Sequence, residues 1–317
     1  MSPQEGMVKS QIKDVLKRLF LKIHKLFIKI GIHILPVHFY TPVPNIIELE
    51  KNKDEWAKKS ALPGICFDLD EQLNNLRTIC LPYQKEYLGN KAYREGISEH
   101  FGPGYGYIEA QALHAIIRHF KPRNILEVGS GVSTYCSWSA SNINERETGK
   151  KSLITCIEPF PSKRLKAFSE IKLIQQKVQN IFNIFNELDS GDLLFIDSSH
   201  TVKPGSDVNF LILEVLPRLK AGVIIHFHDI FFPYDYQRDV LQTFLHWTET
   251  SLLRAFLINN NKVNIIFCLS QLHYDRREGL SKVFPDYDPQ MDISGLCDKI
   301  YDHFYKHFPS SIFLQTK

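Results

Sequence analysis

The chain has 317 residues, with 38 Lys/Arg against 35 Asp/Glu for a formal net charge of +3, and 44% of its residues are hydrophobic. That length and apolar content support a sizeable buried core, and so small a charge gives no footprint for nucleic acid. Six cysteines, none in a C-x-x-C pair, read as reduced thiols of a cytoplasmic protein, which excludes a disulfide framework and a zinc site.

In chain order, residues 1–35 predict a basic amphipathic helix. Residues 1–33 hold seven Lys/Arg against two acids, a net +5 where the whole chain has +3. Ile12, Val15, Leu19, Ile23, Leu26 and Ile30 fall at intervals of three and four, one apolar stripe with lysines on its flanks. Such a helix either docks on its own domain or a second copy as a homo-oligomer, or lies on an anionic membrane through residues 9–30. No apolar run approaches the ~20 residues that span a bilayer. Residues 36–105 begin with Pro36, Pro42, Pro44 and Pro63 and continue into a helical pattern around 68–88, read as a linker and a helical lid. They end in Phe101-Gly-Pro-Gly-Tyr-Gly106, flexible by composition, before a second helix around 108–120.

Residues 106–270 carry the catalytic pattern. Ile125, Leu126 and Val128 surround Glu127 and lead into Gly129-Ser130-Gly131, a buried strand entering a tight loop at a helix start. Amide groups of such a loop point at a ligand. Thr134 stands where the third glycine of a dinucleotide fingerprint would be. A second strand over 153–157 ends at Glu158, an acid placed to bind ribose hydroxyls. Gly131 and Glu158 lie 27 residues apart, and polar residues 142–151 read as a surface extension that absorbs the excess length. A third strand reaches Asp197 and then Ser198, Ser199 and His200. A helix follows over 208–219, and a fourth strand runs to His228 and Asp229. Short apolar strands without alternation require a parallel sheet covered on both faces, and ligands sit beyond the carboxyl ends of such strands. A helix, a turn and a late strand occupy 254–269; residues 271–317 form a C-terminal extension with no assigned role.

Glu-Val-Gly-Ser-Gly-Val-Ser-Thr at 127–134, Cys-Ile-Glu-Pro-Phe-Pro at 156–161 and the stretch from Phe195 to Tyr236 resemble a bacterial S-adenosylmethionine (SAM) methyltransferase group of the "methyltransferase 24" type. The likeness also takes in residues 33–44 and 101–106, spans roughly residues 30 to 270, and weakens in the final strands. It implies an α/β, Rossmann-like class I methyltransferase sheet, mostly parallel with helices on both faces, plus a helical N-terminal extension. It implies SAM held by Glu127, Gly129, Ser130, Gly131, Ser133, Glu158 and Asp197, with 101–106 near the methionine end.

Methyl transfer to oxygen needs donor and acceptor aligned at ~3 Å and a proton removed from a hydroxyl. His200, three residues past Asp197, is the base candidate, because an ordinary imidazole titrates near neutrality. His228 beside Asp229 is taken to face the cleft, and His226 to face away. Asp197 and Asp229 together suit Mg²⁺. The expected function is therefore O-methylation of a small hydroxylated acceptor, a sugar or natural product. An NAD(P)-dependent oxidoreductase on the same sheet, or a non-catalytic scaffold recruited by its N-terminal helix, are the alternatives.

Overall fold

The computed structural model describes residues 3–297 and 306–317. Residues 54–317 form one compact unit and residues 1–53 another. In the first unit, the basic pattern folds as a helix over Pro3–Ile28.

The larger unit is built on a seven-stranded sheet: β1 (Asn124–Val128), β2 (Leu153–Ile157), β3 (Lys172–Ile174), β4 (Leu193–Ile196), β5 (Ile224–His228), β6 (Val263–Cys268) and β7 (Ser311–Thr316). Their order is β3-β2-β1-β4-β5-β7-β6, and β7 alone runs antiparallel to its neighbours. The apolar runs lack alternation because both faces are buried. Ile125, Leu193, Phe195, Ile224 and Phe313 pack into one core, while Leu126, Val128, Leu194, Ile196, Ile225 and Phe227 pack into the other. The helices Leu69–Cys80, Tyr107–Phe120 and Val132–Thr148 cover the first face; Glu249–Leu257 and the helical turns over 207–218 cover the second.

Three boundaries differ from expectation. The helix Leu69–Cys80 is no loose lid: Leu73, Leu76 and Ile79 are core residues, and Gln72 accepts a hydrogen bond from the Cys268 amide at 2.8 Å. Residues 142–148 are no surface extension but the last turns of Val132–Thr148. Buried Asn144 there accepts from Arg118 and donates to the Ile117 carbonyl. And the tail, expected to lie outside the catalytic unit, supplies β7 between β5 and β6.

Chain order makes the site. The chain leaves β1 toward β2 on one side and returns to β4 on the other, so the loops after β1 and β4 diverge and open a crevice. Register aligns its floor. Val128 pairs with both Ile157 and Ile196, and Ile196 with Phe227. Gly129, Glu158 and Asp197 thus lie one step past three adjacent strands, with His228 beside Asp197. At the opposite edge Asp192, fully buried, accepts hydrogen bonds from the amides of Arg123, Asn124 and Asp189 at 2.9–3.0 Å. It ties the starts of β1 and β4 together and so fixes the register of their ends.

Phe313 of β7 is fully buried, its ring 4.1 Å from His226 and 4.9 Å from Phe267. Phe313→Ala should therefore destabilise the protein by ~3–5 kcal/mol in urea denaturation. A change near zero would remove β7 from the cooperative core.

Candidate active site

The glycine loop is fixed by contact before any ligand is considered. Gly129 sits at φ +97°, a conformation L side chains avoid, and a Cβ there would lie 2.3 Å from the Asp197 carbonyl oxygen. Its amide donates to the Ile157 carbonyl at 3.0 Å. The loop is thereby clamped to the ends of both β2 and β4. A Cβ on Gly131, by contrast, would meet nothing nearer than the Phe101 carbonyl at 3.6 Å. Packing does not demand glycine there; the missing side chain leaves room beside the loop. Thr134, in place of a third glycine, accepts from the Gly131 amide at 3.1 Å and closes the first turn of the helix.

Glu158, half-buried past β2, accepts from the Phe160 amide at 2.7 Å through Oε1, while Ser130 Oγ lies 3.5 Å from Oε2. Phe160 is 84% exposed beside it. Glu127 and Ser133 lie behind the loop. Both are buried, and Ser133 donates to Glu127 Oε1 at 2.6 Å, with Cys156 3.4 Å from Oε2. They bind each other across the strand-to-helix turn and hold the loop from beneath. Burial pushes the Glu127 carboxyl up to about 7.

Past β4 and β5, acids and histidines form a dense buried group. His200 Nε2 lies 3.3 Å from Asp197 Oδ1 and 3.7 Å from Asp229 Oδ2, and its Nδ1 donates to Glu249 Oε2 at 2.8 Å. His228 Nδ1 lies 3.4 Å from Asp197 and 3.5 Å from Asp229, with Nε2 4.0 Å from Glu109. Ser310 bridges two of the acids, donating from its amide to Glu109 at 2.7 Å and from Oγ to Asp229 at 2.8 Å. One donor atom each from Asp197, His200 and Asp229 lies within 4.8 Å of the others.

The charges decide the protonation states. Burial alone would raise Asp197 and lower both histidines. The nearby imidazoliums instead hold the Asp197 carboxyl below the usual range. Hydrogen bonds that its ring donates to Asp197 and Glu249 hold His200 well above ordinary imidazole, and Asp229 and Asp197 raise His228 to about 9. The carboxylates around His200 thus favour its protonated form, so a role there as base or as metal ligand requires that proton to leave first. His226 also departs from expectation. It shares a face with His228, since alternate residues of a strand point the same way, and Tyr105 packs on both rings at 5.9 and 4.9 Å. His226 lies deeper, stacked between Phe195 and Phe313, and burial pushes its ring well below the ordinary value.

The segment 101–106 is anchored at both ends, because Phe101 and Tyr105 are buried while Pro103 and Gly104 are exposed. Its Phe101 carbonyl approaches Gly131, and its Tyr105 covers His228. Sequence reading missed Glu109, Glu249, Ser310 and Phe160. Glu109 and Glu249 are both buried near the starts of helices, and an acid on an apolar helix face is the signal that was there to read.

The model of the family described as "Methyltransferase domain" matches residues 126–230, a span holding the glycine loop and all four strand-end acids. An uncharacterised protein of Archaeoglobus fulgidus is 30% identical over 162 residues, 46% of this chain and 69% of that protein. Among solved structures, a protein of Thermobifida fusca YX assigned as a methyltransferase aligns over 83% of this chain and 96% of its own at 10% identity, TM-score 0.34. A SAM-dependent methyltransferase from Archaeoglobus fulgidus covers 66% and 94% at 11% identity, TM-score 0.32. Likeness as slight as these two structures show carries no argument by itself.

Glu127 generates a pH dependence. Its carboxyl titrates near about 7 in the folded chain and near ~4.3 when unfolded. Between those values the folded state binds more protons, so stability falls as pH rises through that window. Glu127→Gln keeps an acceptor for Ser133 and cannot ionise. From about pH 5 to about pH 8 the melting temperature of the unaltered protein should fall relative to that of the variant; parallel profiles would show that Glu127 does not titrate there.

Proposed function

We propose that the chain, which carries a methyltransferase-domain match over residues 126–230, is a class I SAM-dependent methyltransferase and that it methylates a hydroxyl oxygen of a small acceptor, a sugar or natural product. The observation that carries this reading is the group of Asp197, His200 and Asp229 directly beside the glycine loop. A hydroxyl must lose its proton to become a nucleophile, and a charged cluster next to the methyl donor is the place to arrange that loss.

The residues fit SAM. The close approach of Gly129 to β4, the room left at Gly131 and the Glu158 carboxylate at the end of β2 together make a cradle for a nucleoside with a charged tail. SAM supplies the electrophilic methyl group. We assign Glu158 to the ribose hydroxyls, the exposed ring of Phe160 to the base, and Gly129, Ser130, Gly131 and Asp197 to the rest of the cofactor. Glu127 and Ser133 position the loop. Phe101 and Tyr105 anchor a cover that excludes water from the donor end.

The same residues fit a divalent cation, held by Asp197, Asp229 and the Nε2 of His200, whose proton the cation would displace. His200 Nδ1 is fixed by Glu249, which aims Nε2 at the two aspartates, a common arrangement behind metal-binding histidines. Such a cation supplies positive charge that lowers the pKa of a nearby hydroxyl. With an imidazole in the donor set, Mn²⁺ suits the site better than the Mg²⁺ that two acids alone suggest. His228, ion-paired to both aspartates from below, holds their carboxylates in place.

Glu158→Ala removes charged hydrogen bonds of ~1.5–3 kcal/mol, so SAM affinity by calorimetry should fall roughly 10- to 150-fold; unchanged affinity in a folded variant would reject the ribose assignment. The cation is tested separately, once an acceptor is found by screening hydroxylated sugars and natural-product scaffolds. EDTA should abolish turnover and Mn²⁺ restore it. Glu249→Gln should weaken Mn²⁺ binding roughly 10- to 100-fold while leaving SAM affinity unaltered. Indifference to EDTA and to Glu249→Gln would leave the hydroxyl proton to another route.

A further inference from the structure

We propose that the first unit of the chain docks on an anionic lipid surface, lying in its plane. Val15, Leu19, Ile23, Leu26 and Ile30 form one stripe along and just past the helix Pro3–Ile28, each between 40% and 68% exposed. Single exposed apolar residues need no explanation, whereas a continuous stripe marks a surface that meets something. The stripe runs on into the proline-rich segment. Val37, Phe39 and Tyr40 are at least 80% exposed, and the rings of His38, Phe39 and Tyr40 lie against one another at 4.1–5.2 Å. His24 Nδ1 bonds the Ile34 carbonyl at 2.7 Å, folding that segment back beside the helix. Between them runs an open groove of about 690 Å³, lined by Leu16, Leu19, Phe20, Ile23, Leu35 and Pro36.

Charge selects the occupant. At 100° per residue, Arg18, Lys22, Lys25 and Lys29 border the stripe on one side, all four exposed, while Leu16 and Phe20 widen it on the other. A partner must therefore offer an apolar layer beneath negative charge along one flank. A bilayer with anionic headgroups does so, and exposed aromatic rings favour the headgroup level. A second copy of this unit would instead bring its own excess of +5 against the same lysines. Among the described residues no helix is long and apolar enough to cross a membrane, so the helix rests in the interface.

The experiment is sedimentation of the full chain with vesicles. At low salt the chain should sediment with phosphatidylcholine vesicles containing one-quarter phosphatidylglycerol, and stay in solution with pure phosphatidylcholine. Added salt should weaken the binding by screening. Reversing three lysines together (Lys22→Glu, Lys25→Glu, Lys29→Glu) should reduce partitioning roughly 100-fold or more. Leu19→Ser with Ile23→Ser should reduce it while retaining every charge. A thermal shift with SAM confirms that each variant's catalytic unit is folded. Equal binding to neutral vesicles, or none to anionic ones, overturns the proposal. So does a dimer by light scattering that Leu19→Ser with Ile23→Ser converts to monomer, because a second copy would then own the stripe.

Discussion

The contact on which the site depends is the approach of Gly129 to the end of β4. A side chain at that position would collide with the Asp197 carbonyl, so the loop after β1 and the acid after β4 can share one crevice only because residue 129 has none. Every other placement follows. The Gly129 amide holds the end of β2, which brings Glu158 to one flank. The Asp197 amide donates to the Val128 carbonyl at 2.9 Å, which turns the Asp197 side chain toward β5 and its histidine. Glu127 and Ser133 hold the loop from below.

The second constraint is electrostatic. Asp197, Asp229, Glu109 and Glu249 lie close together in largely dry surroundings, where any one of them alone would cost several kcal/mol to ionise. His200 and His228 make the group tolerable, and each is held in its charged form by the acids it serves. The arrangement is mutual, so removing one member leaves a buried charge without its partner. It is also underfilled: two imidazoliums face four carboxyls. The excess is relieved where burial raises the carboxyls of Glu109 and Glu249 toward their neutral forms, and a bound cation would relieve it more fully.

Much of this was legible in the chain. Strands β1, β2, β4 and β5 could be read because strands buried on both faces are continuous apolar runs, whereas β3, three residues long, could not. The strand-end residues could be read because each run ends abruptly in a polar group. What escaped has physical reasons. Ser311–Thr316 is antiparallel and far from its partners in sequence, so no crossover helix announces it. Glu109 and Glu249 reach the site from helices, where no spacing rule links them to Asp197 or His200. The upward pull on His200 was not legible, because a histidine's ordinary value says nothing about three carboxylates gathered by the fold. Residues 142–148 looked like a loop because their polar side chains face Arg118 and solvent, yet Asn144 shows that a buried ion-pair network can hold a polar helix end.

The backbone adds a last piece. His200 and Asp229 both sit at positive φ, +56° and +57°, in the left-handed region that residues with a Cβ seldom adopt. Such positions cost of order 1–3 kcal/mol each and persist only when the surroundings over-determine them. Here they do. The His200 carbonyl accepts from the Thr248 and Glu249 amides at 2.8 and 3.1 Å, and the Ile230 amide donates to the Ser310 carbonyl at 2.9 Å. Helix Glu249–Leu257 and strand β7 thus impose the two turns that aim His200 and Asp229 at each other. The elements least visible in the sequence are the ones that hold the strained backbone of the site, which is why the acids could be found from strand ends while their geometry could not.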